Sequence, residues 1–176
     1  MITLPWFPPL LYTLLILSLL YFLSAVGPLF FGAPWVPMPV AVARRMLQLA
    51  KVQPGETVYD LGSGDGRVLI VAAREFGASG VGVEIEPLRA YLSRFTVYLL
   101  GLYPRARILR ANFHDVDLRD ADVVTLYLLP KAAARLAPKL QRELKPGARV
   151  ATLTYPLLDW EPTTQDGDIH IYRVGL

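Results

Sequence analysis

The feature that most constrains the fold is a regular alternation of short apolar runs and helix-like segments from Thr57 onward. The apolar runs predict strands at residues 58–61, 80–84, 107–110, 123–127 and 149–154. The segments between them predict helices at residues 66–76, 87–100 and 131–144. An alternating run at 169–174 is typical of an antiparallel strand, with a hairpin turn at Asp166-Gly167. The pattern therefore predicts an α/β fold with a doubly wound, mostly parallel sheet and an antiparallel C-terminal strand.

The N-terminal segment has a different composition. Residues 1–43 contain no Asp, Glu, Lys, Arg or His, and residues 10–26 are mostly large and apolar. A membrane-spanning helix needs about 20 such residues, so we expect residues 1–31 to form a transmembrane helix. A cleaved signal peptide is one alternative, and a buried core helix or an interfacial hairpin is another. Arg44 and Arg45 follow the span, which predicts a single-pass membrane protein whose remaining chain is cytoplasmic.

A proline-rich connector and a short helix link this segment to the rest. Pro34, Pro37 and Pro39 stiffen the connector, and the pattern after them predicts a helix at 40–52. We therefore predict two regions after the N-terminal segment. Residues 32–54 form the connector and the pre-domain helix, and residues 55–176 form a globular domain. Trp35 either covers a ligand or lies in the membrane interface.

Composition excludes several kinds of chemistry. The chain has no cysteine, which rules out disulfides, thiolate metal sites and cysteine nucleophiles. It has only two histidines, so we predict no metal site. The net charge of +3 is too small to indicate a nucleic-acid partner by itself.

The residues that carry chemistry lie between the first predicted strand and the first helix, at Asp60–Arg67, with the sequence DLGSGDGR. Glycines are needed where the backbone takes positive φ or passes close to a ligand. Their G-x-G-x-G spacing differs from the G-x-x-G ending of dinucleotide sites. Two acids in the turn serve a pyrophosphate poorly, whereas they suit a cationic sulfonium ligand with an α-amino group.

A second acid, Glu84, ends the second predicted strand, 24 residues after Asp60. In an open parallel sheet, ligands lie beyond the carboxyl ends of the strands. A carboxylate at this position can accept hydrogen bonds from both hydroxyls of a ribose. A turn without any ligand is the alternative interpretation.

With these motifs the sequence resembles class I S-adenosylmethionine-dependent methyltransferases. It more closely resembles the small membrane-anchored protein-lysine methyltransferases whose eukaryotic members modify the mitochondrial ADP/ATP translocase and the c subunit of ATP synthase. The resemblance runs from about Trp35 to Trp160 and rests on WVPMP, DLGSGDGR, GVGVE, YLSR and TLYLLP. It implies a Rossmann-like methyltransferase sheet, S-adenosyl-L-methionine as cofactor, and a protein substrate with an accessible lysine. Glu86 stands where the eukaryotic members are expected to have asparagine.

The resemblance also implies a set of cofactor-binding residues. Asp60 would hold the amino acid part of the cofactor, and Asp65 would either add negative charge or cap the following helix. The loop after the third strand would read the adenine amino group, with Asp115 preferred over Asp117. The predicted set is Asp60, Gly62, Ser63, Gly64, Asp65, Gly66, Glu84, Asn112 and Asp115.

The end of the fourth strand would face the methyl group, which places the acceptor pocket at Tyr127 and Pro130. The polar–Pro–Pro–aromatic tetrad of many amino-methylating members is absent here. Leu128–Pro130 offer carbonyl groups and an apolar wall instead, and Tyr127 offers a hydroxyl or simply packs in the sheet. Thr154 and Tyr155 are weaker candidates. We interpret His114 as a surface residue and His170 as part of a solvated strand face.

These observations favour a methyltransferase acting on a lysine of a membrane or membrane-proximal protein. One alternative is a methyltransferase for a lipid, a quinone or another hydrophobic small molecule. The other is a membrane-tethered module that binds S-adenosylmethionine without catalysis.

Overall fold

The structure, a computed structural model, describes residues 7–30 and 36–175. They belong to two compact units, one containing the N-terminal helix and the other beginning at Val36. Trp35 and part of the proline-rich connector lie outside the described residues, so the expectations for them stay predictions. The three predicted domain boundaries also stay predictions.

The N-terminal unit contains one described helix, α1 (Phe7–Phe30). Side chains of this helix are described at residues 8–19, 21 and 22. Across the described part of the chain, no helix is both long enough and apolar enough to cross a membrane. A span needs about 20 apolar residues, and the predicted transmembrane helix is therefore not supported.

The second unit is built on a seven-stranded sheet with the order β3-β2-β1-β4-β5-β7-β6. The strands are β1 (Thr57–Leu61), β2 (Ser79–Glu84), β3 (Ala106–Arg110), β4 (Val123–Leu126), β5 (Arg149–Leu153), β6 (Thr164–Asp166) and β7 (Ile169–Arg173). The helices are α2 (Val40–Leu49), α3 (Arg67–Glu75), α4 (Pro87–Leu99) and α5 (Pro130–Glu143).

The first five strands pair in parallel, and β7 runs antiparallel to β5. The predicted parallel sheet and antiparallel C-terminal strand are confirmed. The short strand β6 completes a hairpin with β7. Its sequence does not predict a strand, because its three residues are all polar and show no alternation of apolar and polar side chains. In the structure all three are exposed.

Apolar side chains on the two faces of the sheet form separate clusters. One cluster joins β-strand residues to α5 through Ala133, Leu136 and Leu140. Another joins the opposite face to α2 and α3 through residues such as Met46 and Val71. The helices on both faces explain why the central strands contain few polar residues.

The interpretation of His170 as solvated was wrong. Only 9% of the residue is exposed, because β7 lies between β5 and β6 and both of its faces are covered. An alternating sequence marks a solvated face only when one side of a sheet is open to water.

Candidate cofactor and acceptor site

The predicted site residues meet at one edge of the sheet. The last residue of β1, Leu61, lies in register with Val83 of β2 and Leu126 of β4. Because these strands are parallel, the segments that follow each of them emerge at the same edge. The glycine turn, Glu84 and Tyr127 therefore lie near one another, as the strand pattern predicted.

The glycine turn crosses from β1 toward β2. The amides of Gly62 and Ser63 both donate to the carbonyl oxygen of Val83, at 2.8 and 3.0 Å. Gly62, Gly64 and Gly66 have φ values of 88°, 54° and 79°. L-residues rarely adopt these angles, so glycine is required for the path of this turn. A Cβ on Gly62 would also lie 3.3 Å from the Leu128 side chain.

Glu84 is fixed by backbone donors on both of its oxygens. Its Oε2 accepts from the Gly64 amide at 2.9 Å, and its Oε1 accepts from the Glu86 amide at 2.8 Å. The residue is only 7% exposed. A carboxylate has about four acceptor positions, so both oxygens retain the capacity to accept from a ligand hydroxyl.

Glu86, the expected departure from the eukaryotic pattern, caps α4. Its carboxylate accepts from the amides of Leu88 and Arg89, at 3.1 and 2.8 Å. Asparagine is also a favoured capping residue, so both residue types satisfy the same local requirement.

Asp60 is buried beside the glycine turn with a single described hydrogen-bond donor. Its Oδ1 accepts from the Thr125 hydroxyl at 2.7 Å. Burial raises the pKa of Asp60 to about 7; the Thr125 hydrogen bond opposes this, and the nearby Glu84 and Asp65 charges add to it. A cation placed beside this group would favour its charged form.

The Asp65 carboxylate is paired with a neighbouring arginine inside the turn. Its carboxylate pairs with the Arg67 guanidinium, with Nε–Oδ1 at 2.9 Å, and also accepts from the Arg67 amide. Burial acts to raise the pKa of Asp65, but the Arg67 contacts outweigh it and the pKa is lowered. Arg67 also donates to the carbonyl oxygen of Met38. The N-cap of α3 is Gly66, so Asp65 helps to satisfy the first turn without being the cap.

Two glycines that the sequence analysis did not single out set the distance between α3 and β2. A Cβ on Gly82 would lie 2.7 Å from Leu69 Cδ1 and 2.7 Å from Ser63 Oγ. A Cβ on Gly80 would lie 2.9 Å from Leu69 Cδ2. The sequence signal for this close packing was the presence of glycine at two alternate positions of one strand. The Ser63 hydroxyl, near Gly82, is buried with no partner among the described residues.

The loop after β3 holds its predicted residues in a local turn. Asn112 Oδ1 accepts from the His114 amide at 3.0 Å, which uses the side chain to shape the loop. Asp117 is paired with Arg119 at 2.9 Å between Oδ2 and Nε, and this pairing lowers the pKa of Asp117 to about 2. Asp115 is exposed and has no side-chain hydrogen bond to the described residues. Between Asp115 and Asp117, Asp115 is therefore the one whose carboxylate oxygens can accept from a ligand without giving up a hydrogen bond to a described residue.

The segment after β4 presents apolar groups to the same edge. Leu128 is 8% exposed and Leu129 is 36% exposed. The ring of Tyr127 is partly buried against the cluster that includes α2, which agrees with the packing alternative. Pro130 is the first residue of α5, where its missing amide leaves no helical hydrogen bond unmade.

Thr154 follows β5 in a strained conformation. Its φ is 69°, an unusual value for a β-branched residue, and its amide donates to the Asp168 carbonyl oxygen at 2.8 Å. Strain of this kind often occurs at functional sites. Nothing in the local sequence indicates it, since threonine normally favours extended backbone.

The donor and acceptor set fits the predicted cofactor. Asp60 and Glu84 supply buried carboxylate acceptors for an ammonium group and for a ribose diol, and the glycine turn allows close approach. A bound nucleotide phosphate would meet three carboxylates and would be disfavoured. Fold and site together define the class of S-adenosylmethionine-dependent methyltransferases.

Comparisons with known proteins agree with this class of enzyme. Residues 60–164 match the family described as the ANTKMT methyltransferase domain. A protein-lysine N-methyltransferase of Saccharolobus islandicus is 41% identical over 81% of this chain and 94% of that protein. A Xenopus laevis lysine N-methyltransferase named for the C subunit of ATP synthase is 33% identical over 81% of this chain and 60% of its own length. The adenine nucleotide translocase lysine N-methyltransferase of Mus musculus is 33% identical over 80% of this chain and 61% of its own.

Among solved structures, an RNA methyltransferase of Salinibacter ruber in complex with S-adenosyl-L-homocysteine has a TM-score of 0.74. It is 38% identical, over 79% of this chain and 92% of that one. The chain belongs to the ANTKMT methyltransferase family. The predicted family resemblance, the enzyme class and the cofactor S-adenosylmethionine are thereby confirmed.

Proposed function

We propose that this protein transfers a methyl group from S-adenosylmethionine to the ε-amino group of a lysine in a membrane or membrane-proximal protein. The observation that carries the proposal is the 41% identity to a protein-lysine N-methyltransferase over nearly all of that protein. Relatives named for the C subunit of ATP synthase and for adenine nucleotide translocase support an acceptor of this kind. The chain spans about 60% of the length of those relatives.

In this proposal the residues of β1 and β2 bind the cofactor. Asp60 accepts from its α-ammonium group, and Glu84 accepts from the ribose hydroxyls while its backbone donors hold it in place. Asp115 accepts from the adenine amino group. When bound, S-adenosylmethionine supplies an electrophilic methyl group on a sulfonium sulfur.

The residues after β4 position the acceptor. A lysine has an ordinary pKa near 10.4 and must lose a proton before its nitrogen can attack. The apolar wall of Leu128 and Leu129 disfavours the charged ammonium and so lowers the lysine pKa. The backbone carbonyl group of Leu128 accepts from a remaining N–H group and orients the nitrogen lone pair, because the Leu129 carbonyl already accepts from the amides of Ala132 and Ala133. Positioning and exclusion of water then supply the rate enhancement.

The proposal is tested by labelling. The full chain is incubated with methyl-labelled S-adenosylmethionine and membranes of its own source, which are then separated into protein, RNA and solvent-extractable fractions. We expect label in one protein band that resists alkaline extraction from the membranes, and on a lysine after digestion. Asp60→Asn should abolish the label, whereas Asp168→Asn, which changes an exposed acid, should retain it.

Each other result contradicts part of the proposal. Label in the solvent phase would favour a lipid or quinone acceptor, and label in RNA would favour the activity for which the Salinibacter ruber methyltransferase is named. Label in a protein that alkali extracts from the membranes would contradict the membrane location of the acceptor but not the methylation of a protein lysine. Cofactor binding without label in demethylated membranes would favour the non-catalytic module.

A further inference from the structure

Helix α4 has two apolar faces, which is unusual for a surface helix. Its inner face contains small residues such as Ala90, Ser93 and Val97 and packs on β2 and β3. Its outer face would ordinarily be polar. Instead, the outer positions carry large apolar side chains that are 54–68% exposed, namely Tyr91, Leu92, Phe95, Tyr98 and Leu99. We call these five residues the α4 ridge.

The ridge lies in a segment with strongly one-sided charge. Residues 87–114 contain five arginines and no aspartate or glutamate. Arg105, Arg107 and Arg110 are exposed, and none of them forms an ion pair with the described residues. Apolar exposure and positive charge therefore occur together in this segment of the chain.

A groove between α4 and β3 joins the two features. It has a volume of about 510 Å³ and is lined by Phe95, Tyr98 and Tyr103 together with Arg94 and Arg107. The Tyr103 side of the groove extends the apolar surface, since that residue is 73% exposed. An occupant of this surface must therefore combine negative charge with an apolar part.

We propose that the α4 ridge and its arginines are a docking surface for an anionic phospholipid bilayer. Leucine and phenylalanine side chains of an amphipathic helix insert at the boundary between headgroups and acyl chains. Tyrosine places its hydroxyl at headgroup level, and arginine is attracted to anionic headgroups.

Other occupants fit less well. A second copy packed on the same face would bring like-charged arginine clusters together. RNA would satisfy the arginines but would leave Leu92 and Leu99 in water. A bilayer satisfies both features, and its fluid surface adapts to a convex helix.

The test uses a local probe, because bulk vesicle binding would not separate α4 from the uncharged N-terminal segment. The chain has no cysteine, so one introduced cysteine can be labelled uniquely. Leu92→Cys in the full chain carries an environment-sensitive fluorophore, and Arg142→Cys, at an exposed position of α5, is the matched control. Vesicles contain phosphatidylcholine alone, or equal parts of phosphatidylcholine and phosphatidylglycerol.

We expect a blue shift at Leu92→Cys on the anionic vesicles and no shift at Arg142→Cys. Adding Arg105→Gln and Arg107→Gln should lower the apparent affinity roughly 30-fold, at about fivefold per charge. Cofactor titration verifies that each labelled variant is folded.

Equal shifts at the two positions, or no shift at either, would overturn the proposal. It would also be overturned by a shift that depends on protein concentration without vesicles, which indicates a second copy. A shift on added RNA but not on vesicles would assign the surface to RNA instead.

Discussion

The two halves of the site are organised by different interactions. In the β1–β2 half, two buried carboxylates are held by polar contacts: Glu84 by backbone amides and Asp60 by the Thr125 hydroxyl. In the β4–β5 half, apolar side chains and the strained Thr154 form the surface. The first half is a network of polar contacts. The second depends on packing, and it adjoins the first where Leu128 lies beside Gly62.

The two carboxylates of the β1–β2 half also differ from each other. Glu84 receives one backbone donor on each oxygen, whereas Asp60 receives one hydroxyl. This difference indicates that Glu84 supports the fold of the turn in addition to its predicted role in binding the cofactor. Asp60, with its raised pKa, gains most from a cation in the site.

The largest expected effect is that of Glu84→Ala. Two amides, those of Gly64 and Glu86, lose their acceptor, at about 1–3 kcal/mol each. We expect the free energy of unfolding to fall by about 2–6 kcal/mol and the cofactor affinity by roughly 100-fold or more. Urea denaturation and titration calorimetry with S-adenosylhomocysteine measure the two effects. Glu161→Ala, at an exposed position, should change neither quantity. If Glu84→Ala left both stability and cofactor affinity unchanged, the structural role assigned to Glu84 would be contradicted.

The next prediction concerns the pH dependence of stability. Asp60 has a pKa of about 7 in the fold and an ordinary value of 3.8, so between these values the folded state binds more protons. Its contribution to the free energy of unfolding therefore falls as pH rises from about 4 to 7, by about 4 kcal/mol in total. Asp60→Asn should remove this slope from urea midpoints of the ligand-free protein. Asp168→Asn should keep it, and identical slopes in the two variants would refute the assignment.

A smaller effect is expected for Gly82→Ala. The added Cβ meets Leu69, Ser63 and Ile108 at 2.7–2.8 Å, and such overpacking costs about 1–3 kcal/mol. The same substitution in a Leu69→Ala background should cost less, because one of the three contacts is gone. A double-mutant cycle of unfolding free energies measures this coupling. Equal costs in both backgrounds would mean that α3 does not approach β2 as closely as the structure has it.

The smallest effect is expected for Tyr127→Phe in the β4–β5 half. The ring packs against the cluster that includes α2, so removing the hydroxyl should change stability by less than about 0.5 kcal/mol. Methyl transfer to the acceptor lysine should change by less than roughly threefold. A tenfold loss of rate, about 1.4 kcal/mol, would show that the hydroxyl serves the acceptor.

The sequence predicted the sheet better than the details of the site. Strand positions followed from apolar runs, since buried strands covered on both faces contain few polar residues. The position of Asp60 relative to Glu84 followed from parallel pairing. Neither the Thr125 donor nor the role of Gly82 was predicted, because the first depends on β4 pairing with β1 and the second on α3 packing against β2.

What the sequence by itself determined is the α/β fold, the family and the meeting of the glycine turn with Glu84 at one sheet edge. The fold and the meeting of these residues follow from local periodicity and from the backbone angles that only glycine adopts readily, whereas the family follows from the resemblance of the sequence motifs. The tertiary structure alone decided that His170 is buried, that Asp60 accepts from the Thr125 hydroxyl, and that α4 exposes its large apolar side chains. Burial and pairing depend on neighbours distant in sequence, and a local pattern carries no record of them.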